Sequence, residues 1–164
     1  MEQFHVPLSA YALKWVGHRD SAADVVQEVF LRLCKADSAE VRPHLAQWLY
    51  TVCRNLAIDV RRRESRMHTI EIDHAGEQSS DTPGPVQHAE QRDSLSQAMK
   101  LLEQLPGNQQ ECLRLKFQHN LSYREIAGVT GLSETNVGFL IHTGLKALRK
   151  KMSLVPSPSG RGLG

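Results

Sequence analysis

Apolar residues recur every three or four positions in two blocks of this chain, and a stretch rich in acids, proline and glycine separates the blocks. Val25, Val26 and Val29, for example, lie on one side of a helix, because one turn takes 3.6 residues. We find no segment in which apolar and polar residues alternate with a period of two, the pattern of a half-buried strand. The sequence therefore predicts an all-α protein with two small helical domains.

The stretch between the two blocks is acidic. From Glu71 to Asp93 there are six acids and one base, and Pro83, Gly84 and Pro85 interrupt any helical pattern. Such a segment buries too little apolar area to offset the entropy lost when it becomes ordered. We therefore predict a domain at 1–66, a flexible acidic linker at 67–92, a second domain at 93–152 and a disordered tail at 153–164.

The composition argues against several classes of protein. Cys34, Cys53 and Cys112 form no C-x-x-C pair, so we expect no disulfide framework, no structural metal and no cofactor. A catalytic cysteine needs a positioned base, and no base stands near Cys53 or Cys112, so we do not expect an enzyme. No apolar run approaches the roughly 18 residues that span a bilayer, and no secretory signal is recognisable. We expect a cytoplasmic protein without a membrane partner.

Local signals predict where helices of the first domain begin. Ser21 is an N-cap residue type and precedes the apolar stripe that contains Val25. Pro43 suits the first turn of the next helix, since its missing N–H would have no partner there. A further helix is predicted near Leu56 and runs into a basic block, in which five arginines between Arg54 and Arg66 face only two acids.

The strongest local pattern covers residues 122–150, SYREIAGVTGLSETNVGFLIHTGLKALRK. Ser122 can cap a helix that runs through Val129, and Ser133 can cap a second one. Gly131 stands between them and can adopt the left-handed conformation that a Cβ disfavours. Small and apolar residues flank this turn on both sides: Ile126, Ala127, Leu132, Val137 and Leu140. The pattern predicts a helix-turn-helix.

In a DNA-binding helix-turn-helix, the second helix enters the major groove and its first residues meet base edges. The residues predicted at these positions are Glu134, Thr135, Asn136 and Phe139. Those predicted to contact phosphates are Arg124, Lys146, Arg149, Lys150 and Lys151. The alternative is a helical hairpin whose basic end is only solvated and complements the helix dipole.

Three segments resemble the bacterial extracytoplasmic-function (ECF) sigma factors of the sigma-70 family. DSAADVVQEVFLRL at 20–33 resembles region 2.2, and AQWLYTVCRNLAIDVRRRESR at 46–66 resembles regions 2.3 and 2.4. Residues 102–152, which include the helix-turn-helix pattern, resemble region 4. Because the three segments follow the family's order, this similarity is more specific than a lone helix-turn-helix.

The resemblance implies a subunit of RNA polymerase rather than an enzyme. Region 2 would bind the clamp helices of the β′ subunit through Asp24, Gln27, Glu28 and Arg32. Regions 2.3 and 2.4 would read and open the −10 element of the promoter. Region 4 would bind the −35 element and the β flap, and an anti-sigma factor or another regulator is a possible further partner.

Opening DNA requires a place for an extruded base. In the family the loop between the region 2.3 and 2.4 helices holds this base, and Asn55 stands at that position here. Tyr50 lies off the apolar stripe and is a candidate base contact. The arginines predicted to hold phosphates beside them are Arg61, Arg62, Arg63 and Arg66.

The second helix of the helix-turn-helix pattern departs from the family because it is apolar and has no arginine before Arg149. Either Glu134, Thr135 and Asn136 read the −35 element together with DNA shape, or this face meets a protein. Exposure of Phe139 and Ile141 would favour a protein partner. A regulator that binds duplex DNA but never joins polymerase is the alternative function.

Overall fold

The computed structural model describes the backbone of residues 2–71 and 91–154, and the side chains of 2–70 and 95–154. The described residues form helices and connecting turns without a strand, which confirms the all-α prediction. The helices are α1 (Glu2–Val16), α2 (Arg19–Lys35), α3 (Ser38–Val41), α4 (Leu45–Glu71), α5 (Gln91–Glu103), α6 (Gly107–Phe117), α7 (Tyr123–Thr130) and α8 (Glu134–Leu154), with a 3₁₀ turn at Arg42–His44. They form two compact units. The first contains α1–α4 and α7, and the second contains α5, α6 and α8.

The core of the first unit lies where α1, α2 and α4 pack against one another. Leu8, Val29 and Leu49 have no exposed surface, as their positions on the apolar stripes predict. The rings of Tyr11 and Tyr50 meet edge to face with their centres 5.2 Å apart, a favourable arrangement of aromatic quadrupoles. This core supports the outer faces of α2 and α4.

Helix α4 is one continuous helix of 27 residues. The prediction of a separate helix beginning near Leu56 was wrong, because no proline or glycine between 45 and 71 interrupts the backbone hydrogen bonds. Pro43 lies in the 3₁₀ turn that precedes α4, close to its predicted position. Residues 67–71, predicted as the start of the linker, continue α4, and residues 72–90 lie outside the described residues.

The predicted cap of the second helix was also wrong. α2 begins three residues earlier than expected, with His18 in the N-cap position. Ser21 therefore lies inside the helix, where its hydroxyl donates a hydrogen bond to Glu64 Oε1 at 3.1 Å. This bond joins α2 to α4.

The cap and turn residues predicted for the helix-turn-helix pattern adopt their expected conformations. Ser122 and Glu125 form a capping box at the start of α7, in which each side chain accepts a hydrogen bond from the other's backbone N–H. Gly131 follows α7 with φ +76°, the left-handed conformation expected for it. The Ser133 hydroxyl then accepts a hydrogen bond from the Asn136 N–H, which caps α8.

In the second unit, α8 packs against α5 and α6. A Cβ at Gly144 would stand 2.9 Å from Leu113 Cδ1, so glycine allows α8 to approach α6 closely. The Gln109 side chain donates a hydrogen bond to the Thr143 hydroxyl at 3.1 Å. Near the other end of α8, Lys151 donates to Gln104 Oε1 at 2.8 Å, which ties the helix to the segment after α5.

Two ionisable groups of the second unit lie in unusual surroundings. Arg114 on α6 is buried, and burial lowers its pKa, an effect that the negative charge of Glu103 opposes. Burial and, to a smaller extent, the charge of Arg114 lower the pKa of His119 to about 4. His119 is therefore neutral at physiological pH, and Arg114 belongs to the interior rather than to the surface charge.

Candidate promoter and polymerase interface

The arginines at the C-terminal end of α4 lie on the surface of the first unit. The buried residues Cys53 and Ala57 mark the side of α4 that packs on its neighbours, and burial raises the pKa of the Cys53 thiol to about 12. Glu64 continues that side through its hydrogen bond to Ser21. The exposed residues are Arg61, Arg62, Arg63 and Arg66. The structure thus presents four guanidinium groups along about one and a half turns of one helix.

Asn55 is exposed, but it lies in the middle of α4 and not in a loop. The expectation of a loop that holds an extruded base at this position was therefore wrong. Arg62 and Arg66 follow Asn55 at intervals of seven and eleven residues, which places the three side chains on the same side of the helix. We call the exposed set Asn55, Arg61, Arg62, Arg63 and Arg66 the α4 outer face.

Tyr50 does not belong to this face. It is 2 % exposed, and burial raises its pKa above the ordinary value, with the nearby Cys53 thiol as a smaller cause. The prediction that Tyr50 contacts a base was therefore wrong, because the residue lies between α4 and α1. Residues off one apolar stripe can still be buried when a helix packs against more than one neighbour.

Sequence reasoning missed a contact between Trp15 and Arg54. The guanidinium carbon of Arg54 lies 5.1 Å from the centre of the Trp15 ring, within the range of a cation–π interaction. Arg54 is the first arginine of the basic block, but this contact holds it against the end of α1. Sequence patterns give no sign of the pairing, because the two residues stand 39 positions apart.

The four predicted polymerase contacts lie on one side of α2, as their spacing requires. Asp24 and Gln27 are exposed, and Glu28 and Arg32 form an ion pair with N and O atoms 2.8 Å apart. Beside Gln27, a groove of about 460 Å³ is lined by side chains of α1 and α2, among them Phe30 and Cys34. An exposed polar row next to an apolar groove is a suitable surface for another protein.

The first turn of α8 carries the residues predicted to read bases. Glu134, Thr135 and Asn136 are exposed, and Phe139 is 63 % exposed. Ile141 is 2 % exposed, so of the two residues whose exposure would favour a protein partner, only Phe139 lies on the surface. Only one large apolar side chain therefore stands among the polar residues of this part of α8.

The remaining predicted phosphate contacts lie on two helices. Lys146, Arg149 and Lys150 are exposed on α8, whereas Lys151 is half-buried beside Gln104. Arg124 is exposed on α7, which belongs to the first unit. Charge is thus exposed at four of the five predicted phosphate contacts, and Lys151 is the exception.

Two other kinds of site are absent from the described parts of the chain, 2–71 and 91–154. They contain no group of three or more metal-binding side chains. None of the helices that can be described there has the length and the apolar character needed to cross a membrane.

Two protein-family models match the chain. Sigma-70 region 2 matches residues 1–67, and Sigma-70 region 4 matches residues 95–148. The matches cover both predicted modules and leave the acidic segment between them unmatched. They agree with the regions assigned by resemblance from the sequence.

Curated relatives are sigma factors of the same group. The ECF RNA polymerase sigma factor SigL of Mycobacterium tuberculosis is 34% identical over 146 residues, which cover 85% of this chain and 78% of that protein. EcfG of Rhodopseudomonas palustris is 33% identical over 76% of this chain and 67% of its own length. SigX of Bacillus subtilis is 28% identical over 94% of this chain and 82% of its own.

A solved structure shares the fold. The sigma factor RpoE of Bartonella quintana, crystallised in complex with the anti-sigma factor NepR, superposes with a TM-score of 0.61 at 19% identity, and the match covers 92% of each chain. The combination of both sigma regions disfavours a regulator that never joins polymerase. The chain belongs to the extracytoplasmic-function sigma factors of the sigma-70 family, the subunits that direct RNA polymerase to promoters.

Proposed function

We propose that this sigma factor opens the −10 element with the α4 outer face. The observation that carries the proposal is the exposure of Arg61, Arg62, Arg63 and Arg66 while the opposite side of α4 is buried. Arg62 and Arg66 share one side of the helix, and Arg61 and Arg63 flank that side about 100° away from Arg62. These four cations can neutralise phosphates of a strand that runs along the helix, and each neutralised phosphate releases counterions. Such binding supplies affinity and position, but no base specificity.

Specificity at this element would come from Asn55. Its amide can both donate and accept hydrogen bonds, and it stands beside Arg62 and Arg66 on the same side of α4. Since the helix is continuous here, the extruded base would lie against the helix surface rather than inside a loop. The binding free energy of a base held in this way would offset part of the few kcal/mol that unstacking costs.

Region 4 would bind the −35 element through the first turn of α8. Thr135 and Asn136 are exposed and polar, and asparagine is well suited to adenine in the major groove. Lys146 and Arg149 would hold phosphates farther along the helix, and Arg124 would do so from α7. Because α8 presents no arginine to bases, we expect DNA shape to contribute to recognition.

The α2 row formed by Asp24, Gln27, Glu28 and Arg32 would bind the clamp helices of β′, and region 4 would contact the β flap. The Glu28–Arg32 ion pair is exposed, so both groups can exchange partners at little cost. The protein would act in the cytoplasm, without catalysis of its own. An anti-sigma factor is a further partner to be sought, since the Bartonella neighbour was crystallised with one.

The variant Asn55→Ala tests the proposed role in opening. We expect it to reduce the rate of promoter opening by about five- to thirtyfold, because about one to two kcal/mol of base binding is lost. Opening is measured by the reactivity of unpaired thymines with permanganate. The template is a promoter fragment that the wild-type holoenzyme selects from a genomic library. Binding of the variant to core polymerase should equal wild type, and Gln3→Ala, which removes an exposed side-chain amide from α1, serves as the control. Normal opening by Asn55→Ala would remove the residue from the melting site.

A further inference from the structure

The ring of Phe139 points away from the domain that carries it. Its side chain is 63 % exposed, whereas Val137, Ile141 and Gly144 are the buried residues of α8. At about 100° per residue, Phe139 lies about 140–160° around the helix from these three. The ring therefore adds little to the core of the second unit. A single exposed apolar side chain is common on protein surfaces, so any role for Phe139 has to follow from its surroundings.

The residues around Phe139 form a surface suited to DNA. Thr135 and Asn136 stand one helical turn before it, Lys146 stands two turns after it, and all three are exposed. They bring hydrogen-bonding groups and a positive charge to the same side of α8. Glu134, the only acid of this helix, lies about 140° around the helix from the ring. Phe139 is thus the apolar centre of a polar face without a negative charge.

The major groove offers few apolar groups to a side chain. The C5-methyl group of thymine is the apolar group that base pairs display there, and the other base edges carry hydrogen-bond donors and acceptors. A phenyl ring cannot replace the water that it displaces from such donors and acceptors, so covering them is unfavourable. A base position covered by Phe139 would therefore favour thymine over the other three bases.

The spacing along α8 places this contact next to the one proposed for Asn136. Three residues advance about 4.5 Å along a helix, and one base pair advances about 3.4 Å along the duplex. When the helix follows the groove, Asn136 and Phe139 therefore face neighbouring base pairs. Asparagine is suited to adenine and a phenyl ring to the thymine methyl, so the two side chains together select adjacent A·T pairs.

We propose that Phe139 is a specificity-determining residue that packs on a thymine methyl group of the −35 element, beside the base pair that Asn136 reads. The proposal rests on the proposed function, which places the first turn of α8 on this element. It explains how an α8 that has no arginine before Arg149 still distinguishes bases. It also gives a role in DNA recognition to the one large apolar side chain of this face.

Deoxyuridine tests the proposal, because it lacks only the C5-methyl group of thymidine and forms the same base pair. The template is a promoter fragment that the wild-type holoenzyme selects from a genomic library. Each thymine of its upstream element, on either strand, is replaced in turn, and the dissociation constant of the holoenzyme is measured by competition. We expect one or two of these replacements to weaken binding by about fourfold each, the factor for one buried methyl group. Replacements between the two promoter elements should have no effect.

The variant Phe139→Ala shows whether the ring detects the methyl group. It should bind the unmodified fragment at least about fourfold more weakly than the wild type, and the sensitive replacements should weaken its binding no further. A change in the shape or hydration of DNA would persist in this variant, so the double-mutant cycle isolates the direct contact. Asn136→Ala, the matched control from the same face, should weaken binding but keep the fourfold response. Alanine favours helix, so the urea midpoint of Phe139→Ala should not fall.

Nuclease protection of the upstream element, measured first, separates the two possible failures. A holoenzyme that protects no such element would count against the proposed function, and this proposal would fall with it. A protected element that contains no thymine, or that tolerates deoxyuridine at every position, would overturn only the role of Phe139. An equal response of the wild type and Phe139→Ala to deoxyuridine would overturn it as well. Unchanged promoter affinity of Phe139→Ala would assign the exposed ring to a protein partner instead.

Discussion

Changing Arg61, Arg62 and Arg63 together to Ala is expected to make the slope of log K against log [salt] for promoter binding shallower by about two to three units. Each lost phosphate contact accounts for about 0.7 to 0.9 of a unit. The reason is counterion release, since three exposed cations on the α4 outer face no longer neutralise phosphates. When salt is raised from about 50 to 200 mM, the factor by which the wild type loses affinity should then be roughly 20 to 40 times the factor for the variant. The measurement is a salt titration of holoenzyme binding by fluorescence anisotropy.

A charge-matched control separates this local effect from net charge. Changing Arg19, Lys35 and Arg42 to Ala removes three exposed cations from the same unit, but none belongs to the α4 outer face. We expect this control to change the slope by less than about one unit, because charges away from the phosphates are screened within about 10 Å. Equal slopes for the two triple variants would remove the α4 outer face from the DNA interface.

The variant Tyr50→Ala should destabilise the first unit by about 3–5 kcal/mol, the range for deletion of a buried aromatic ring. The substitution leaves a cavity between α4 and α1 and removes the edge-to-face contact with Tyr11. Since small domains are stable by only about 5–15 kcal/mol, this is a large fraction of the stability of the unit. Urea unfolding followed by circular dichroism gives the change as a shift of the midpoint.

The variant Tyr50→Phe distinguishes a core role from a role in base binding. It keeps the ring and removes only the hydroxyl, so we expect a loss of about 1 kcal/mol and unchanged promoter opening. A Tyr50→Phe protein of nearly wild-type stability that fails to open promoters would restore Tyr50 to the DNA interface. It would also require the ring to leave its buried position on DNA binding.

Local rules were sufficient where the structure depends on neighbours in sequence. The caps by Ser122 and Ser133 and the left-handed Gly131 follow from side-chain chemistry within three residues, and all three are confirmed. The apolar stripes likewise predicted buried residues such as Val26 and Val29. In each case the interaction that decides the conformation lies within one or two helical turns.

Predictions failed where the structure depends on contacts between distant segments. Tyr50 is buried because α4 packs against α1 as well as α2, which widens its buried side beyond one stripe. The expected break near Asn55 followed from the apolar spacing that begins at Leu56 and from the family pattern, although the residues there contain no helix breaker. The packing of α7 on α4 joins segments far apart in the chain, and no local pattern encodes it.

The measurement that tests the central claim most directly is transcription by core RNA polymerase mixed with this protein on a library of genomic fragments. We expect the mixture to produce transcripts that start at a fixed distance downstream of a shared two-element motif, and core polymerase alone to produce none. The α4 triple arginine variant should bind core polymerase as the wild type does, but yield far fewer of these transcripts. A protein that neither binds core polymerase nor enriches any promoter motif would contradict the account.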